Sequence, residues 1–231
     1  MDSRQAVQPS PAFEIRRYLV NGKESSKADL ASQPFIVAGA GLPDDRTAYA
    51  FSHEEAFYGW AAGTRHAPEI GRSVGIMKLG QQLENTPVGN RAVKRAEATL
   101  ERLTREVEAL SKETGLPIGT PELLYETHCS RSILEPPILG SAILFDKVSG
   151  SLANPDFGGS FFPFVLAFPT FFGFNDKASG ALVLGICTLF DKTFYRGAAA
   201  FMISIGTAGS PGLKFVLADL GFDNRAASGI A

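Results

Sequence analysis

Gly173-Phe174-Asn175-Asp176-Lys177-Ala178-Ser179-Gly180 returns almost unchanged, 48 residues on, as Gly221-Phe222-Asp223-Asn224-Arg225-Ala226-Ala227-Ser228-Gly229. In each copy an aromatic precedes two adjacent carboxylate or amide side chains, a basic residue, an alanine and a small or hydroxyl residue. A fixed offset of this size is the mark of a repeated supersecondary unit. A second echo runs ahead of the first: Ile143-Leu144-Phe145-Asp146-Lys147 reappears 45 residues later as Thr188-Leu189-Phe190-Asp191-Lys192. The C-terminal part of the chain is therefore expected to fold as a doubled structure.

Composition places the start of that part. Only four of the 18 phenylalanines precede residue 133, whereas 16 of 22 Lys and Arg and 17 of 24 Asp and Glu do. Pro136-Pro137 stands at the change as a stiff linker, since neither proline can donate a backbone hydrogen bond. Beyond it the chain runs in short apolar stretches separated by glycine-rich turns: Ala142–Phe145, Phe161–Phe168, Ala181–Leu184, Thr188–Phe190, Ala200–Ile205 and Leu213–Leu217. Their length and their content of Phe, Val and Ile predict strands.

The first part reads differently. Residues 1–12 are polar, with Pro9 and Pro11, and predict a loose tail. Strands are predicted at Phe13–Val20, Phe35–Ala38 and Thr47–Phe51, with an Asn21-Gly22 turn. Ser52 is placed to cap a short helix over Ala56–Ala62, with Glu54 and Glu55 in its first turn. A longer helix is predicted from about Asn90 to Thr114, ending at Gly115. Val93, Ala96, Leu100, Leu103, Val107 and Leu110 step along it by three and four residues. This seam is shorter than the three or four heptads that would argue for a coiled coil. It is expected to pack on its own domain, with a homodimer or a partner helix through Val93, Leu100, Leu103, Val107 and Leu110 as the alternative.

The net charge of −2 offers no global attraction for nucleic acid or acidic lipid. The polar N-terminus is no signal peptide, and Asp191, Lys192 and Arg196 interrupt the most apolar region below membrane-spanning length. A soluble, cytoplasmic protein is expected, with Cys129 and Cys187 reduced rather than paired.

Phe190-Asp191-Lys192-Thr193-Phe194-Tyr195-Arg196-Gly197 spaces an aromatic, four residues, an aromatic, one residue and a glycine. This resembles the βγ-crystallin Greek-key signature. The first copy departs from it, since Phe145 reaches Phe157-Gly158-Gly159 only after seven extra residues, as if a loop over Val148–Pro155 were inserted. The opening stretches are similar to the same family's calcium motif: Asn or Asp twice, any two residues, Ser or Thr, then Ser. Asn175–Ser179 matches through its fifth position, with Gly180 in place of the last serine. Asp223–Ser228 keeps that serine and has Ala227 at the fifth position.

The resemblance covers residues 133–231. It implies an all-β double Greek-key sandwich with keys at about 138–184 and 185–231. The fold class expected for the whole chain is α+β, this sandwich being preceded over residues 13–132 by an α/β or mainly helical region of unknown fold. The resemblance also implies two Ca²⁺ sites. One takes Asp176, the Lys177 carbonyl, Ser179 and Asp146. The other takes Asn224, the Arg225 carbonyl and Asp191. With so few carboxylates binding is expected to be weak, on the order of 10⁻⁵ to 10⁻³ M, and Ala227 makes the second site the poorer. The competing use of the same residues is a pair of Asx turns leading into the last strand of each key.

Other candidates are thin. Phe35–Gly41 lacks the third glycine and the following helix of a dinucleotide loop. His53-Glu54-Glu55 lacks the second histidine of a zinc-protease helix, and His128 with Cys129 falls short of a zinc site. A non-enzymatic, calcium-binding structural or interaction protein is expected. The alternative is an enzymatic or effector activity in the N-terminal region, with the β part as a stabilising, targeting or inhibitory module.

Overall fold

A computed structural model gives the protein over residues 12–132, 140–148, 160–165, 167–204 and 212–231. The tail, the Pro136-Pro137 linker, nearly all of the inserted loop and the loop before Leu213 lie outside the described residues. So do the side chains of His128 and Cys129.

The described residues form a mixed α+β structure with eleven strands in one continuous sheet system and five α-helices. The chain opens with β1 (Arg17–Val20) and β2 (Lys23–Glu24), joined at Asn21 and Gly22, both in left-handed backbone. Asn and Gly are the residues that tolerate this, which is why the pair reads as a turn from sequence. Helix α1 (Lys27–Ala31) follows; its capping box closes when Ser26 Oγ accepts from the Asp29 amide and Asp29 accepts from the Ser26 amide. Next come β3 (Phe35–Gly39), β4 (Thr47–Phe51), α2 (Glu54–Ala62) and α3 (Ala67–Leu83). Helix α4 (Pro87–Thr114) and α5 (Pro121–Ser132) complete the first part.

The C-terminal part contains β5 (Gly140–Phe145), β6 (Phe161–Val165), β7 (Ala167–Phe168), β8 (Gly180–Lys192), β9 (Arg196–Ile203), β10 (Leu213–Val216) and β11 (Ser228–Ile230).

Strand β8 organises this part. Sequence patterning predicts two strands here, but the structure has one of 13 residues that passes from one sheet to another. Its first half, Gly180–Gly185, pairs with β5 and its Gly180–Val183 also with β10; its second half pairs with β9 and β11. Gly185, at φ +81°, stands at the crossing, where a side chain would strain the backbone. One sheet therefore runs β6-β5-β8-β10 and the other β9-β8-β11-β7, with β8 common to both.

The first part extends the second sheet, because β3 lies parallel to β9 from Phe35 opposite Ala199 to Gly39 opposite Ile203. The full order becomes β2-β1-β4-β3-β9-β8-β11-β7. Gly39 lies at φ +141°, and a Cβ there would strike the Ile203 carbonyl. The glycines that mimic a dinucleotide loop thus serve the sheet: the Ala40 amide bonds the Ile203 carbonyl at 2.8 Å and the Gly41 amide bonds Asp45 at 2.8 Å.

Three apolar layers follow from the alternation along β8. Cys187 and Leu189 face the inter-sheet core with Leu144, Phe162, Val183, Met202 and Phe215. Ile186 and Phe190 face the opposite way, under α2 and α3, with Phe57, Ile70, Met77, Phe201 and Ile230. Phe145, Ile143 and Leu182 lie on the outer face of the other sheet, with Val107, Leu123 and Leu124 of α4 and α5. Helices cover both outer faces, which is why β4 and β5 are buried along their whole length and show no alternation of apolar and charged residues.

The α4 seam packs within the chain. Leu103 is 1 % exposed and Val107 is fully buried, with Val93, Leu100 and Leu110 half-buried beside them. The middle of this face packs into the protein's own core, as expected of a seam that packs on its own domain. Gly115 ends the helix in left-handed backbone at φ +71°, as its sequence position predicts. Helix α2 begins after His53 rather than at a Ser52 cap, because the Ser52 hydroxyl is engaged with Asn21 and the His53 ring. Helix α3 escapes sequence reading because Gly71, Gly75 and Gly80 dilute its pattern, leaving Ile70, Ser73, Val74 and Met77 as its buried face. Cys187 is buried and free. Among the described residues no helix is long and apolar enough to cross a membrane.

Candidate metal centre

The two echoed stretches lie side by side, related by a local twofold in their hydrogen bonds. The Asp176 amide donates to the Ala226 carbonyl at 2.9 Å, and the Asn224 amide donates to the Ala178 carbonyl at 2.9 Å. Each of these two residues has left-handed backbone, at φ +55° and +52°. The Ser179 amide donates to the Phe145 carbonyl and the Ala227 amide to the Phe190 carbonyl, both at 2.8 Å. The short polar side chains of Asp and Asn tolerate such backbone better than other non-glycine residues. Position two of each motif is thus already required by the local fold. In the same way, Asn175 Oδ1 accepts from the Phe171 amide at 2.9 Å, bracing the turn ahead of it.

This crossing regroups the residues. The sequence-level assignment puts Asp176 with Ser179 and Asn224 with Asp191, but the backbone bonds carry each position-two residue to the other repeat's fourth position, next to its fifth. Asn224 lies beside Ser179, whose hydroxyl is 3.5 Å from Asn224 Oδ1, and Ser179 in turn lies beside Phe145 and Asp146. Asp176 lies beside Ala226 and Ala227, which neighbour Phe190 and Asp191. Asp146, Ser179 and Asn224 form one group; Asp176, Ala227 and Asp191 form the other. Only the pairing of the strands identifies which residues cross.

The two groups differ in charge. Among the described residues Asp146 has one carboxylate oxygen buried with no hydrogen-bond partner. Asp191 sits at a bulge between Phe190 and Lys192, where its Oδ1 accepts from the Ala198 amide at 2.8 Å and its Oδ2 from Arg225 Nη2 at 3.0 Å. The equivalent basic residue, Lys177, donates to the Gly173 carbonyl at 2.6 Å, as Arg225 does to Gly221. Ca²⁺ takes six to eight oxygen ligands. The first group has an unmatched carboxylate oxygen, a hydroxyl and an amide oxygen, a donor set that fits such an ion. The second offers a carboxylate already matched by a guanidinium and an alanine methyl where the hydroxyl would be, and does not fit.

Ser228, the last residue of the second motif, is a clasp. Its hydroxyl donates to the Lys192 carbonyl at 2.7 Å and accepts from the Tyr195 amide at 3.1 Å. It fixes the hairpin in which Phe190 and Tyr195 meet edge to face at 5.6 Å and Gly197 adopts φ +77°. The first repeat has Gly180 at that position. The Arg225–Asp191 pair and the Ser228 clasp are the residues that motif reading misses, because neither role is encoded in the spacing of the motif.

Among the described residues no group of three or more His, Cys, Asp or Glu converges on a metal position. His53 stands at the start of α2. His66 occupies the N-cap position of α3 and is buried, and Ser73 Oγ and one Glu69 oxygen are buried without partners among the described residues. Burial, with Arg65 beside it, lowers the His66 pKa below the ordinary imidazole value. Compared with protein-family models, curated proteins and solved structures, the chain matches none.

Proposed function

We propose that the protein is a non-enzymatic, calcium-binding structural or interaction protein of βγ-crystallin type, with one working site and one degraded site. The strand order supports the double Greek-key half of this reading. The third strand of each repeat leaves its own sheet for the other: β7 pairs with β11, and β10 pairs with the first half of β8. The observation that carries the calcium half is the difference between the paired aspartates. Asp191 has a guanidinium at 3.0 Å, whereas its counterpart Asp146 has a buried oxygen with no partner among the described residues. A buried, unmatched carboxylate oxygen is costly unless something compensates it.

Asp146, Ser179 and Asn224 would hold the ion, which when bound supplies the positive charge that Asp146 lacks. The N-terminal region, on this reading, lengthens the sandwich through β3 and shields its faces with helices. Calorimetric titration of the full chain with calcium tests the proposal. One site is expected, with Kd on the order of 10⁻⁵ to 10⁻³ M, and Ser179→Ala is expected to weaken it. Absence of both binding heat and a melting shift at millimolar calcium overturns it.

A further inference from the structure

The second site does not fit a metal ion, and the reason lies in what already occupies it. The Arg225 guanidinium donates to Asp191 at 3.0 Å, to the Gly221 carbonyl at 2.6 Å and to the Ala31 carbonyl at 3.0 Å. A carboxylate and two main-chain carbonyls are the kinds of oxygen a calcium ion takes. A planar, permanently charged fork suits them equally well. Arg225 also stacks over Phe222, with Cζ 5.0 Å from the ring centroid, which fixes its direction.

One of those three oxygens comes from elsewhere in the chain. Ala31 is the last residue of α1, so its carbonyl is a helix-end acceptor without an intrahelical partner. Two further contacts hold α1 at this place. Lys27 bonds Asp219 at 2.8 Å, and Ala31 lies so close to Gly221, which has φ +65°, that a Cβ on that glycine would overlap it. In the first repeat, among the described residues, Lys177 bonds the Gly173 carbonyl, the counterpart of Gly221, and no carboxylate. A lysine ammonium satisfies the local turn, whereas the arginine fork satisfies the turn, the aspartate and the helix end together.

We propose that Arg225 is the resident cation of the second site, and that the chain uses this site to dock its own helix α1 instead of taking up a second metal ion. The docking half stands on the contacts alone. The metal half rests on the calcium reading of the first site.

The test uses the full chain with Arg225→Lys and Arg225→Gln, and Arg225→Gln combined with Ala227→Ser. Lysine is compatible with the turn, as Lys177 shows, so Arg225→Lys keeps the experiment readable if glutamine impairs folding. Hydrogen exchange reads the docking: amides of α1 are expected to exchange about tenfold faster or more in either single variant, the scale of losing charge-assisted hydrogen bonds. Unchanged α1 exchange in a folded variant overturns the docking. Calorimetry with calcium chloride reads the site: one equivalent is expected for the parent and two for the double variant. A stoichiometry that stays at one overturns the claim that Arg225 fills a metal position. If neither protein binds calcium, the reading of the first site falls together with the metal half, and the exchange result decides the docking by itself.

Discussion

Asp146→Asn separates the calcium reading from a purely structural use of the loops, because it should act in opposite directions with and without the ion. One Asp146 oxygen is buried without a partner among the described residues. An unsatisfied buried polar atom costs about 1–3 kcal/mol, more if charged. Asp146 as a whole is only half-buried, so the low end applies. Removing the charge should then stabilise the calcium-free protein by about 1 kcal/mol, or roughly 2–4 °C in Tm for a chain of this size. In the parent, 10 mM calcium against a Kd on the order of 10⁻⁴ M should add about 2.7 kcal/mol, or roughly 5–11 °C. The variant should lose most of that shift. Differential scanning calorimetry of both proteins, in chelator and in calcium, gives the four values needed. A variant that melts lower than the parent in chelator and keeps the full calcium shift refutes the reasoning, since Asp146 would then be a satisfied structural group.

Three further outcomes follow from the packing. Leu103→Ala should cost about 2–5 kcal/mol in urea unfolding, as for other fully buried leucines, and leave the sedimentation coefficient unchanged, because the α4 seam packs inside the chain. The His66 pKa is lowered in the folded state, so between that value and the unfolded value near 6.5 the unfolded chain binds more protons. The His66 contribution is therefore complete above the unfolded pKa and is lost as pH falls below it; His66→Gln should flatten this part of the stability–pH curve, measured by urea midpoints. The Cys187 thiol is fully buried and its pKa is pushed up by desolvation, so a thiol reagent should modify it at the rate of unfolding, not at the rate of a free thiol.

Much of the fold was legible because it is local. The Asn21-Gly22 turn, strand Thr47–Phe51, the Gly115 helix stop and the hairpin at Phe190–Gly197 are each set by residues whose backbone preferences act within a few positions. Helix α3 was not legible, since three glycines weaken its pattern and its stability comes from Ile70, Val74 and Met77 packing on the sheet. Nor was the fusion of β8 into one strand, because both halves are apolar and only their partners distinguish them.

The repeat itself determined that the C-terminal part is doubled, that an Asp or Asn stands at the second position of each copy, and that Ala227 leaves the second copy without the hydroxyl that Ser179 gives the first. Tertiary structure decided which copies join. It carried Asn224 to Ser179 and Asp176 to Ala227, joined the N-terminal strands to β9, and brought the Ala31 carbonyl to Arg225. The physical reason is range. A backbone preference or a missing hydroxyl is a property of one residue, whereas the pairing of an aspartate with a guanidinium 34 positions away, and of that guanidinium with a helix end 194 positions away, exists only once the strands are in register.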